Sequence, residues 1–233
     1  MSVFEIIESH KKQKKLERSQ KPKKKLTDEQ KDALKQMFQN ATKFFSSLPV
    51  PSFSITTNDD TQTATIMFEG NFMMGPSQKL FRNMLTEAMQ KYKRIILHLD
   101  TPGGSYVVVR SILKLVQHYK SKGGWMECII RNKCFSAGPM LAKECNVVKM
   151  HKDAKWMIHF PDGLTYEKIQ KLKHDNKNPK YIAHLEQETE LWATIWSEIL
   201  NQPKEFIKEI CNAQRQLSAD DGIRCNFVNE IIH

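Results

Sequence analysis

Ser136 stands in Phe135-Ser136-Ala137-Gly138-Pro139, between an apolar run and a segment in which proline suits the first turn of a helix. A serine hydroxyl attacks a carbonyl only when a base removes its proton and N–H donors hold the oxyanion that forms. On a sharp turn before a helix the hydroxyl is exposed, and the N–H of the next residue, Ala137, is directed toward the same anion. A helix cap is the other reading of such a serine. Pro102-Gly103-Gly104 closes a second apolar run, and glycines there let backbone approach a ligand closely and offer an N–H to an anion, or simply make a turn. His159 ends Lys155-Trp156-Met157-Ile158-His159 and is either a general base or a histidine satisfied by a backbone carbonyl. Cys134, two residues before Ser136, is the other nucleophile type nearby. The five cysteines (Cys128, Cys134, Cys145, Cys211, Cys225) are never spaced C-x-x-C, so free thiols are expected rather than a disulfide framework or a zinc ribbon. No metal site and no cofactor is expected.

The elements that must position these residues alternate along the chain. Ala64 to Phe68, Arg94 to Leu99 and Met126 to Ile130 read as strands, and Pro76 to Lys91 and Ser105 to Tyr119 as helices between them. Leu80, Met84, Leu85 and Ala88 are expected to face inward on the first helix, and Val108, Ile112, Leu115 and Val116 on the second. Val147 to Met150 and Lys155 to His159 read as two short strands. Tyr166 to about Leu200 is helix-rich, interrupted around Asn176 to Pro179, with a stripe of Trp192, Ile195, Trp196 and Ile199. Two short helices, Pro203 to Cys211 and Ser218 to Arg224, close the chain. The alternation predicts an α/β fold built from βαβ units around a mostly parallel sheet.

The chain has 233 residues, 40% of them hydrophobic, enough for one sizeable core. Its formal charge of +10 is concentrated early: residues 1–25 hold nine basic side chains against three acidic ones. Residues 1–26 read as a basic disordered arm, either solvated or contacting a polyanion or nucleic acid through Lys11 to Lys25. Residues 27–47 read as an amphipathic helix, and 61–233 as the catalytic body. With no apolar run long enough to span a bilayer and no secretory signal pattern, the expectation is a cytoplasmic protein without membrane contact.

Taken together, Asp100-Thr101-Pro102-Gly103-Gly104-Ser105, Phe135-Ser136-Ala137-Gly138 and Trp156-Met157-Ile158-His159-Phe160-Pro161 resemble the proteolytic subunit of the Clp protease in order and spacing. Ser136 and His159 lie 23 residues apart. The resemblance runs from about Ala64 to the C-terminus. It implies the Clp-protease and crotonase type of spiral fold, with 166–200 as a helical handle. It implies Ser136 as nucleophile, His159 as base, and an oxyanion hole shaped by Gly103 with N–H groups from Gly104 and Ala137. A peptide or unfolded-protein substrate, a homo-oligomeric ring associating through the handle and a partnership with an ATP-dependent unfoldase follow from the same resemblance; the stripe fits such an interface, and equally a helix face packed within its own subunit. The departure is in the acid. Ile210 stands where the family's aspartate is expected, so Asn212 is the candidate third member, with Glu209 a substitute if the helix register shifts. A catalytically impaired structural or regulatory subunit is the alternative to a serine endopeptidase.

Overall fold

Period-two alternation of apolar and polar residues puts every second side chain on one face of a strand, and this pattern builds the central sheet. The computed structural model describes residues 2–19, 50–175 and 178–233. Its sheet begins with β1 (Ser52–Asn58), which pairs antiparallel with β2 (Thr63–Glu69). The sheet therefore starts ahead of residue 61, where the sequence reading places the body. β3 (Arg94–Thr101), β4 (Trp125–Phe135), β5 (Val147–His151), β6 (Lys155–Met157) and β7 (Glu230–Ile232) all join in parallel. The order is β1-β2-β3-β4-β5-β7, with β6 on β4.

β4 is longer than its apolar run, and this matters for the site. Its first half pairs with β5 through Glu127 to Ile130, and its second half pairs with β6 through Lys133 to Phe135. The short strands expected over 147–150 and 155–159 are thus separate partners of one long strand that ends against Ser136.

Helices α2 (Pro76–Lys91) and α3 (Tyr106–Ser121) make the crossovers, and α4 (Gly138–Glu144) follows β4. The buried face of α2 is Gln78, Phe81, Leu85 and Ala88, while Leu80 is 60% exposed. The expected inward Leu80 is corrected by the 78/81/85/88 spacing, which brings Phe81 against Phe68 at 4.6 Å between ring centroids. On α3, Val109 and Leu113 are buried beside Val108, Ile112 and Val116, and Leu115 is only half-buried. One sheet face, carrying Ile66, Phe68, Leu97, Leu99, Cys128 and Ile130, is fully buried. On the other face Thr65, Met67, Ile96, His98, Ile129 and Lys149 are half-exposed.

The helical region comprises α5 (Tyr166–His174) and α6 (Pro179–Leu200), followed by α7 (Lys204–Ala213) and α8 (Ala219–Arg224). The Trp192, Ile195, Trp196 and Ile199 stripe is buried within its own chain, with Trp192 edge-on to Tyr106 at 5.3 Å. Of the two readings of the stripe, packing within its own subunit is the one this burial favours. α8 is started by a reciprocal cap: Ser218 Oγ accepts from Asp221 N, and the Asp221 carboxylate accepts from Ser218 N.

Over residues 3–19 the expected disordered arm is replaced by a helix, α1 (Val3–Ser19). Val3, Ile6 and Ile7, spaced to share one helix face, are buried in the core. Polar tethers complete the docking. Phe4 N donates to Glu144 Oε2 at 2.9 Å, Arg110 donates twice to Glu8, and His10 meets Glu198 at 2.9 Å. Lys11 Nζ lies 3.7 Å over the Tyr106 ring. The amphipathic helix expected over 27–47 lies outside the described residues. Among the described residues no helix is long and apolar enough to cross a membrane.

Candidate active site

Three short stretches meet where β3, β4 and β6 end. Thr101 pairs with Cys134, and Phe135 with Met157, so the strand ends carrying Gly103, Ser136 and His159 are neighbours in the sheet. Ser136 itself takes a left-handed backbone conformation, φ 59°, and its N–H donates to Met157 O at 2.9 Å. An L residue there is disfavoured by about 1–2 kcal/mol, so the elbow stores strain at one of the described non-glycine residues with positive φ. The turn presents Ser136 half-buried, and Ala137 and Gly138 then enter α4.

Gly103 is what allows that elbow. A Cβ at Gly103 would lie 2.5 Å from Ser136 Cβ and 2.6 Å from Phe135 O, and its φ of +98° favours glycine as well. Thr101 pins the turn: its Oγ1 donates to Gly70 O at 2.7 Å and accepts from Gly103 N at 3.0 Å. Gly104 lies against Phe72, with Phe72 N donating to Gly103 O and Ser105 N to Phe72 O. The groups flanking Gly104 make both bonds, which directs the Gly104 N–H away from Phe72. Cys134 is sealed beneath this turn at 0% exposure, and burial pushes its thiol well above the usual range. The thiolate needed for attack is thereby disfavoured.

His159 follows β6, whose Trp156 is fully buried and exchanges two backbone hydrogen bonds with Leu217. Trp156 Nε1 donates to Ser218 O at 3.0 Å, tying β6 to the cap of α8. Ile158 and Phe160 are buried on either side, leaving His159 half-buried on the opposite face. Its Nδ1 lies 2.5 Å from the carbonyl oxygen of Phe160. Among the described residues no hydrogen bond joins Ser136 Oγ to the His159 ring. In unliganded sites such bonds are commonly long and tighten around substrate.

The expected third member is not brought to this histidine. Asn212 Oδ1 accepts from Tyr166 N at 2.7 Å, and Asn212 Nδ2 donates to Glu167 Oε1 at 3.1 Å, so the amide braces the start of α5. Ile210 is 7% exposed within the core and Glu209 is exposed. The acceptor facing Nδ1 is a main-chain carbonyl. A carbonyl belongs to every residue, and only the conformation at Phe160 marks this one.

A family profile for the Clp protease matches residues 55–233. The chain belongs to the Clp protease family. The Clp protease fold is also the one it shares with solved structures. ClpP1 from Listeria monocytogenes aligns with TM-score 0.56 at 16% identity, covering 75% of this chain and 93% of that one. The ClpP protease catalytic domain from Plasmodium falciparum aligns with TM-score 0.55 at 16% identity, covering 75% and 86%. A point mutant of the Listeria ClpP1 aligns with TM-score 0.53 at 19% identity, covering 75% and 93%. No curated relative matches by sequence.

Proposed function

We propose that this Clp protease family member is a serine endopeptidase that cleaves peptides or unfolded chains, with Ser136 as nucleophile and His159 as base. The observation that carries the reading is the left-handed elbow at Ser136, built against a Gly103 that has no room for a side chain. Backbone strain of this kind persists where surrounding structure holds it in place, and it is common at nucleophile turns. In the reaction Ser136 Oγ attacks the scissile carbonyl carbon while His159 Nε2 takes the hydroxyl proton. The same proton passes to the amide nitrogen as the C–N bond breaks, leaving an acyl-serine. Water, deprotonated by His159, then releases the acid and restores the Ser136 hydroxyl. Gly104 and Ala137 N–H would hold the oxyanion, with Gly103 shaping the turn.

A fluorophosphonate probe tests the assignment. Labelling at Ser136 that disappears in Ser136→Ala and His159→Gln is the expected result. Absence of labelling in the intact, assembled protein would count for the second reading, a structural or regulatory subunit. That reading is favoured by one observation, the lack of a side-chain acid at His159 Nδ1 among the described residues.

The half-exposed face of a parallel sheet supports self-association into a ring, since such sheets are ordinarily covered on both faces. An ATP-dependent unfoldase partner and a cytoplasmic setting rest on the family. A polyanion contact through the basic segment rests on the residues after Lys11, whose ammonium is placed over Tyr106.

A further inference from the structure

We propose that the main-chain carbonyl of Phe160, in place of an acid side chain, is the group that orients the His159 ring. The inference rests on the reading of His159 as the base. A carbonyl oxygen only accepts hydrogen bonds, so a ring nitrogen 2.5 Å from it must carry a hydrogen. Nδ1 is therefore the protonated nitrogen of the neutral ring. Nε2 then holds the lone pair, and it is the nitrogen that has to take the proton of Ser136.

The surroundings hold that carbonyl in place. Phe160 is fully buried, its ring meets Tyr166 edge-on at 5.7 Å, and its extended backbone (φ −67°, ψ 152°) leads directly into the 3-10 turn Pro161–Gly163. Leu164 N closes the turn on Pro161 O at 3.1 Å. Trp156, three residues before the histidine, is locked to Leu217 and Ser218. The segment on both sides of His159 is thus fixed, and the end of α7 braces it without offering an acid: Gln214 Nε2 donates to Gly163 O at 3.1 Å, the Asn212 oxygen accepts from Tyr166 N, and Ile210 is apolar.

The two tasks of a triad acid come apart here. Setting the tautomer needs only an acceptor, and loss of the correct tautomer accounts for about a ten-thousandfold loss of turnover where a triad aspartate becomes asparagine. Stabilising the imidazolium needs negative charge, which a carbonyl supplies only as a partial charge. Phe160 is on this argument a positioning residue acting through its backbone, and turnover is reduced but retained.

The test replaces His159 with Nδ-methylhistidine in the full chain, which removes the Nδ1 hydrogen and keeps the basic Nε2. Fluorophosphonate labelling of Ser136 is expected to fall by about a hundredfold or more. Nitrogen-15 spectra of histidine-labelled protein, differenced against His159→Gln, are expected to show a protonated Nδ1 and an unprotonated Nε2. Ile210→Asp is expected to leave the labelling rate within about threefold. An Nε2-protonated ring would overturn the proposal, as would unchanged labelling of the methylated protein while His159→Gln is inert. If the spectra show protonated Nδ1 but no form of the protein labels, the orienting contact stands and the base assignment fails.

Discussion

At Ser136 the left-handed backbone disfavours any side chain, so the residue proposed to serve chemistry is not the one that would best serve stability. Ser136→Gly is expected to abolish probe labelling and to raise stability by about 1 kcal/mol, a melting shift of about 2–4 °C for a domain of this size. A calorimetric scan beside the labelling assay reads both. Gly103→Ala should do the opposite to stability, because its Cβ would collide with Ser136 Cβ and Phe135 O, and labelling should vanish with it. Gly123→Ala is the control: φ is also positive, +85°, yet no atom lies within 4 Å of the added Cβ, so the variant loses only about 1 kcal/mol and keeps its labelling. Glu144 supplies a pH effect. Burial is the largest influence on its carboxyl and raises its pKa, against the hydrogen bond from Phe4 N and the nearby Lys120. A folded-state pKa above the unfolded value means that folding favours the protonated form. Glu144 therefore contributes a destabilisation that is full above the folded pKa and is relieved as pH falls through it. Glu144→Gln, which can still accept from Phe4 N, is expected to lessen this pH dependence in denaturant titrations between mildly acidic and neutral pH.

Among the elements, α1 shows most clearly what charge conceals. Lys11, Lys12, Lys14 and Lys15 dominate the early sequence, and of the five apolar residues ahead of them the three that share a helix face, Val3, Ile6 and Ile7, span little more than one turn, too short a stretch to read as periodic. Those three are nonetheless buried, and the helix bridges α3, α4 and α6 through Arg110, Glu144 and Glu198. Ile7→Ala should cost about 2–5 kcal/mol in urea unfolding, a core value at a position the sequence marks as part of a tail. β1 is illegible for a related reason: only Phe53 is half-buried in an otherwise exposed strand, so no alternating pattern marks it. Where burial is strong the sequence is readable. α2 spans Pro76–Lys91 as predicted, and the glycine turn and Ser136 both fall at strand ends. The support of His159 is readable only in kind: a backbone carbonyl is one of the partners the sequence allows it, but which carbonyl faces Nδ1 depends on the conformation at Phe160, which no residue type announces.

For the whole molecule, the open sheet face carries Met67, Ile96 and Ile129 beside His98 and Lys149. Ile129→Arg is expected to lower the oligomeric mass seen by light scattering while leaving the melting temperature within a few degrees. Unchanged mass would move the contact elsewhere. Unlike a nucleophile carried on a surface loop, the proposed nucleophile Ser136 continues the strand that pairs with β3, β5 and β6, and its own amide is bound to Met157. Local opening follows the hydrogen-bonded network, and strands at the centre of a sheet open only with the whole domain. In hydrogen exchange the Ser136 amide should rank with the slowest in the protein. On heating, the capacity to react with the probe should persist up to the global transition and disappear with it, without an earlier step in which a folded protein carries a melted site.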